Sequence, residues 1–204
     1  NGNIVYNPIK DLTLSAVFSY IRDNMNRGYG ETLSHISALR DGLAGWSSVG
    51  AYTKMEKLME LTAQYNKEIG AHKFSVLGGY SYNETDFEEL WIDNYGFQDD
   101  YFGGWHNIGI GSALKDGKAN IGSKKTPTNL IGFFGRATYS FKNRYLLMGA
   151  LRYEGASQLW GTDNAWGLFP SISVGWRITE EAFMKNQKIF DDLKLRIGWG
   201  KVGN

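Results

Sequence analysis

The feature that most constrains this chain is the alternation of apolar and polar side chains, sustained over runs of roughly nine to twelve residues. A period of two marks an extended strand whose faces meet different surroundings. In the first run Leu12, Leu14, Ala16, Phe18 and Tyr20 share one face, and Thr13, Ser15 and Ser19 take the other. A second run sets Met59, Leu61, Ala63 and Tyr65 against Glu60, Thr62 and Gln64. After the turn NKEIGA, its mate carries Phe74, Val76, Gly78, Tyr80 and Tyr82 on one face. The clearest run places Ile131, Phe133, Ala137, Tyr139 and Phe141 opposite Arg136, Thr138 and Ser140. Tyr145, Leu147, Leu151 and Tyr153 follow, then Ile172, Val174, Trp176 and Ile178. The last run sets Leu193, Leu195, Ile197 and Trp199 against Lys194 and Arg196. With a weaker strand at Ile4–Tyr6, the pattern predicts about eight strands.

These runs exceed the usual strand of about 5–6 residues and match the 9–11 or so that cross a bilayer. A charged face opposite an apolar one suits a barrel with lipid outside and water within. Tyr20, Tyr65, Tyr82, Tyr139 and Tyr145 stand at run ends, as interfacial aromatic belts require. Connection lengths alternate too. Short turns are expected at 8–10, 67–71 and 142–143, and long polar loops at roughly 23–47, 83–129 and 155–167. On the short-turn side 180–192 is longer, and EEAFMKNQ predicts a helical turn with Thr179 as its cap. On pattern alone a soluble β-sandwich with long strands also fits, as does a stand-alone eight-stranded adhesin barrel.

Composition narrows the choice. The 26 glycines (about 13% against a usual 7% or so) and 30 aromatics accompany only three prolines and a negative mean hydropathy. No stretch is long and apolar enough for a membrane helix. A formal charge of +1 gives no field directed at nucleic acid, and the lack of cysteine excludes disulfides and thiolate metal sites. The chain starts at Asn1 without an initiator Met or signal peptide, and reads as a processed chain or a piece of a longer one.

Catalysis finds little support. His35, His72 and His106 are scattered outside any ligand pattern, and GIGSALKDGKA lacks phosphate-loop spacing. Neither a catalytic site nor a cofactor or metal site is expected. The adjacent carboxylates Glu88–Glu89, Asp99–Asp100, Glu180–Glu181 and Asp191–Asp192 read as solvated loop charge, with calcium a remote option in the absence of EF-hand spacing. The long connections instead offer Trp91, Tyr95, Tyr101, Trp105, Trp160 and Trp166 as residues that could stack on sugar faces or grip peptide side chains. Phe97 and Phe102 lie among them, and the bland reading is a loop core of its own. Arg136, Arg152 and Arg196, with Arg177, fall on the polar parity. They are expected to line a lumen, either guiding polar substrate or locked in salt bridges.

The stretch LIGFFGRATYSFKNRYLLMGALRYEGASQLWGTDNAWGLFPSISVGWRITEEAFMK resembles the late-middle barrel of SusC/RagA-type TonB-dependent transporters. Its blocks match the family's F-x-R-x-x-Y…R-Y-L-L, R-x-[DE]-G-[SA]-S, W-G-x-F-P-S and G-W-R-[IL]-x-x-E-x-F. DLKLRIGWGKVGN and the hairpin AQYNKEIGAHKFSVLGGYSYNE are similar to two further blocks, with Glu154 where Asp is commoner and Gln158 where a basic residue often stands. The resemblance implies an all-β, antiparallel transmembrane segment, about eight strands of a barrel of about 22. It implies that residues 1–204 are barrel only, with the plug and the TonB-binding segment outside them. It further implies active import of oligosaccharides or peptides across the outer membrane of a Bacteroidetes-like Gram-negative bacterium, driven through TonB and capped by a SusD-type lid lipoprotein.

Overall fold

A computed structural model describes residues 1–100, 104–186 and 189–203. Eight strands form one sheet in chain order: β1 (Gly2–Ile9), β2 (Leu12–Glu31), β3 (Trp46–Ile69), β4 (His72–Tyr95), β5 (Asn120–Phe141), β6 (Tyr145–Ala156), β7 (Trp166–Arg177) and β8 (Lys194–Gly200). Neighbours run antiparallel, and β1 and β8 are the two edges. A sandwich needs a second sheet, and a closed eight-stranded barrel needs β8 beside β1. The strand order provides neither, so both alternatives fall. The tight turns use left-handed backbone at Asp11, Gly70, Lys142 and Asn143 (φ 71°, 56°, 50° and 56°). Asn143 fulfils the expectation for its turn, since a short amide side chain tolerates this region.

The chain divides into two compact units. One comprises residues 1–20, 57–84 and 128 onward; the other comprises 21–56 and 85–127. In the first unit the ladders fix which side chains share a face. Phe133, Leu151, Tyr153 and Leu147 on β5 and β6 align with Leu168, Ile172 and Val174 on β7, which meet Trp199 and Ile197 on β8. These apolar side chains are not in a core. Phe133 is 50% exposed, Leu147 45%, Val174 54% and Ile197 69%. Across the described residues the only buried apolar side chains are Ala38, Phe97 and Ala113, all in the second unit.

Aromatic rings close this band at both ends. At one end Trp166 stacks on Tyr153 (4.8 Å between centroids) and reaches Phe133, which meets Tyr80. At the turn end Phe74 meets Tyr139, Phe141 meets Tyr145, and Trp176 pairs with Tyr145 in the ladder. Trp166 and Trp176 are ten residues apart on β7. That is about 33 Å along the strand, or roughly 25 Å of height at a tilt near 40°, the height of a barrel's apolar band. Glycine and aromatic excess are linked here. Trp166 lies over Gly155, where a Cβ would stand 2.7 Å from the indole, and Phe134 fills the space above Gly79.

The sequence expectation for the connections needs correction. β2, β3, β4 and β5 hold 20, 24, 24 and 22 residues, so nearly half of 23–47 and of 83–129 is strand rather than loop. A strand wetted on both faces keeps its hydrogen bonds but has no reason to alternate, which hides it from a period-two search. Trp91 and Tyr95 therefore belong to β4 and Trp166 to β7. What remains between β2 and β3 carries helix α1 (Ile36–Arg40), and between β4 and β5 a 3-10 segment (Gly104–Ile110) and helix α2 (Ser112–Lys115). The turn predicted in EEAFMKNQ is two 3-10 turns, Ile178–Glu180 and Ala182–Met184. Thr179 lies inside the first and caps neither. Its hydroxyl donates to Asp192 Oδ1 and accepts from Leu193 N (3.3 and 3.4 Å), tying the two ends of the connection together.

Candidate functional site

Opposite the apolar band lies the polar face of the first unit. The ladders put Arg152 beside Phe134, Arg136 beside Ala150, Arg196 beside Gly175 and Arg177 beside Lys194. All four arginines thus occupy one face, as their parity predicted. Their partners differ. Arg152 Nε donates to Glu154 Oε2 at 3.0 Å, and its guanidinium sits 5.9 Å from the Phe134 centroid. Arg177 Nε lies 3.9 Å from Asp192 Oδ1, whereas Arg136 and Arg196 form no ion pair among the described residues. Two concavities open on it. One of about 410 Å³ is lined by Glu60, Thr62, Arg136, Arg152 and Ser171, and the other, of about 550 Å³ near the turns, by Ser140, Arg177, Lys194 and Arg196 among others.

The turn side holds a cluster that sequence reasoning missed. Glu181 accepts from Tyr145 Oη at 2.6 Å, Arg144 Nη1 at 3.0 Å and Trp176 Nε1 at 3.2 Å. Its side chain is 13% exposed, so reading it as solvated loop charge is wrong. The Tyr145 hydroxyl first, then the Trp176 indole N–H and Arg144, hold the carboxyl below its ordinary range. Arg144 and Tyr145 open the R-Y-L-L block, while Trp176 and Glu181 belong to G-W-R-I-x-x-E-x-F. Two separate motif blocks meet at one carboxylate.

The second unit carries the other candidates. Asn94 is fully buried, and its Nδ2 donates to the carbonyls of Ile108 and Gly111 (2.7 and 3.0 Å). It anchors the segment between β4 and β5, while Gly96 N and Phe97 N bind Ala44 O. Phe97 is loop core, as the bland reading had it. Trp105 lies over Gly28 and Gly30 and borders a concavity of about 360 Å³ with Asn26, Arg27 and His106. Trp91 packs over Gly122. Tyr101 and Phe102 lie outside the described residues. In the first unit Trp160 is 62% exposed in the connection between β6 and β7, whereas Trp166 stands in the aromatic belt of the apolar face. No group of three or more His, Asp or Glu among the described residues is placed to hold a metal ion.

The profile of the family described as TonB dependent receptor-like, beta-barrel matches residues 1–204. The chain belongs to this family. TonB-dependent receptor P26 of Formosa agariphila is 33% identical over 203 residues, covering 98% of this chain and 20% of its own length. TonB-dependent receptor SusC of Bacteroides thetaiotaomicron is 34% identical over 160 residues, 78% of this chain and 15% of the relative. The RagAB peptide transporter superposes with a TM-score of 0.74 at 23% identity, over 96% of this chain and 21% of that one, a likeness of fold. The resemblance to SusC/RagA-type transporters is thereby upheld, and the all-β TonB-dependent receptor barrel fold with it. The chain spans between 13% and 20% of the length of the curated relatives it matches.

Proposed function

We propose that these residues are a wall segment of an outer-membrane active importer for oligosaccharides or peptides. The observation that carries this reading is the inverted sheet. Its apolar side chains stand exposed in a band bounded by aromatic belts, while arginines occupy the opposite face. Lipid would cover the first face and the transport lumen the second, with Arg136, Arg152 and Arg196 lining it. Unpaired edges at β1 and β8 cannot rest against lipid, so further strands complete the barrel, about 22 in all. Residues 1–204 are then barrel throughout, with the plug and the TonB-binding segment elsewhere in the polypeptide. TonB supplies the energy and a SusD-type lipoprotein caps the mouth, in the outer membrane of a Bacteroidetes-like bacterium. β2 to β5 have about twice the residues a bilayer needs. The surplus of β4 carries Trp91 and Tyr95 as substrate contacts, joined by Tyr101, Trp105 and Trp160, whereas Trp166 stands in the belt of the apolar face and takes no part in substrate contact. Catalysis has no part in this reading.

The test is uptake by the native host. A strain deleted for the whole protein should lose import of at least one class in a panel of labelled oligosaccharides and peptides, and regain it on complementation. A tonB-deficient strain should share the defect. Undiminished uptake across both classes in the deletion strain would end the proposal.

A further inference from the structure

The turn-side concavity of the polar face holds more positive charge than the surrounding protein answers. Arg177 and Lys194 stand directly opposite each other on β7 and β8, with Arg196 two residues along β8. Like charges facing across a ladder oppose each other. Gly175 leaves room beside them, because a Cβ there would lie 3.4 Å from Lys194 Cε. The lysine stem therefore runs across the sheet. Lys194 and Arg196 form no ion pair among the described residues, and Asp192, the carboxylate paired with Arg177, stays 3.9 Å from its Nε. That Nε and Ser140 Oγ are buried without a hydrogen-bond partner, and both line the same space of about 550 Å³. The remaining rim cations are already matched, Lys67 by Asp11 at 2.8 Å and Lys73 by Glu68 at 3.4 Å.

Two cations without an ion pair among the described residues, a guanidinium N–H and a hydroxyl thus converge, and the carboxylate that lines the same space, Glu68, is engaged by Lys73. A buried donor without an acceptor is costly, and a guanidinium fork with an ammonium beside it fits a carboxylate in charge and geometry. The geometry points to a carboxylate-binding site formed by Arg177, Lys194, Arg196 and Ser140. This site rests on the sheet alone and holds whether or not the protein transports anything. The carboxylate comes from one of two sources: an acidic side chain of the longer polypeptide folded against this face, or an acidic solute.

Acetylation of Lys194 by a water-soluble active ester, followed by mass spectrometry on the full-length protein in detergent, separates the sources. The exposed Lys118 is the reference. If the protein supplies the carboxylate, Lys194 reacts about tenfold more slowly than Lys118 at low salt, and the gap closes in about 1 M NaCl, where screening acts within roughly 3 Å. If a solute supplies it, Lys194 reacts as fast as Lys118 until tri-aspartate is added. It then slows about tenfold, while tri-asparagine has no effect. In either case Arg196→Gln weakens the protection several-fold. The site is refuted if Lys194 tracks Lys118 with and without tri-aspartate, if protection ignores salt, or if Arg196→Gln leaves it intact.

Discussion

Glu181 shows how one carboxylate can join three elements, since it lies in the connection after β7 and its partners come from the turn before β6, the start of β6 and the end of β7. Its folded-state pKa is depressed below the ordinary value near 4.5, first by the Tyr145 hydroxyl. A depressed acid stabilises the fold above its unfolded pKa, and that contribution is lost as pH falls through the folded value. The melting temperature of the whole protein should therefore drop, as pH falls below about 4.5, more steeply than that of Glu181→Gln, which should already melt lower at neutral pH. Parallel curves for the two would show that the cluster contributes nothing. This cluster was half legible in the sequence. The motif blocks name all four residues, but pairing them requires knowing that β6 and β7 end side by side. Asn94 was not legible at all, because an asparagine between Asp93 and Tyr95 carries no mark of the two distant carbonyls it binds.

At the scale of the strand, alternation revealed the segments with unlike faces and failed where both faces are wet. β6 and β7 were found nearly whole, whereas β2 to β5 were found only in part, their polar remainder read as loop. Within β6 the glycines are not equivalent. Gly155 is covered by the Trp166 ring, while Gly149, on the same face, has open space where a side chain would go. Overpacking typically costs about 1–3 kcal/mol. Gly155→Val should destabilise by that order, and Gly149→Val should be near neutral or mildly stabilising, because glycine weakens a strand interior. Denaturant unfolding in micelles checks this, and equal effects at the two positions would mean that the ring over Gly155 yields freely.

At the scale of the whole molecule, the sheet has no dry interior in its first unit, and the band between the Trp166 and Trp176 belts awaits its solvent from outside. If that solvent is lipid, the cost of a charge depends on depth. Ile172→Arg, midway between the belts on β7, should cost about 2–4 kcal/mol, and Leu195→Arg, beside Trp176 at one belt, about 0–1. Equilibrium unfolding of the full-length protein in vesicles measures the difference, and equal costs at the two positions would remove lipid from that face. The band's height of roughly 25 Å has a further implication. A folding equilibrium whose hydrophobic contribution comes from acyl chains is adjustable without touching a codon. When a cell lengthens or shortens those chains, mismatch at the two tryptophan rings changes, and membrane synthesis becomes a regulator of how much of this protein stays native.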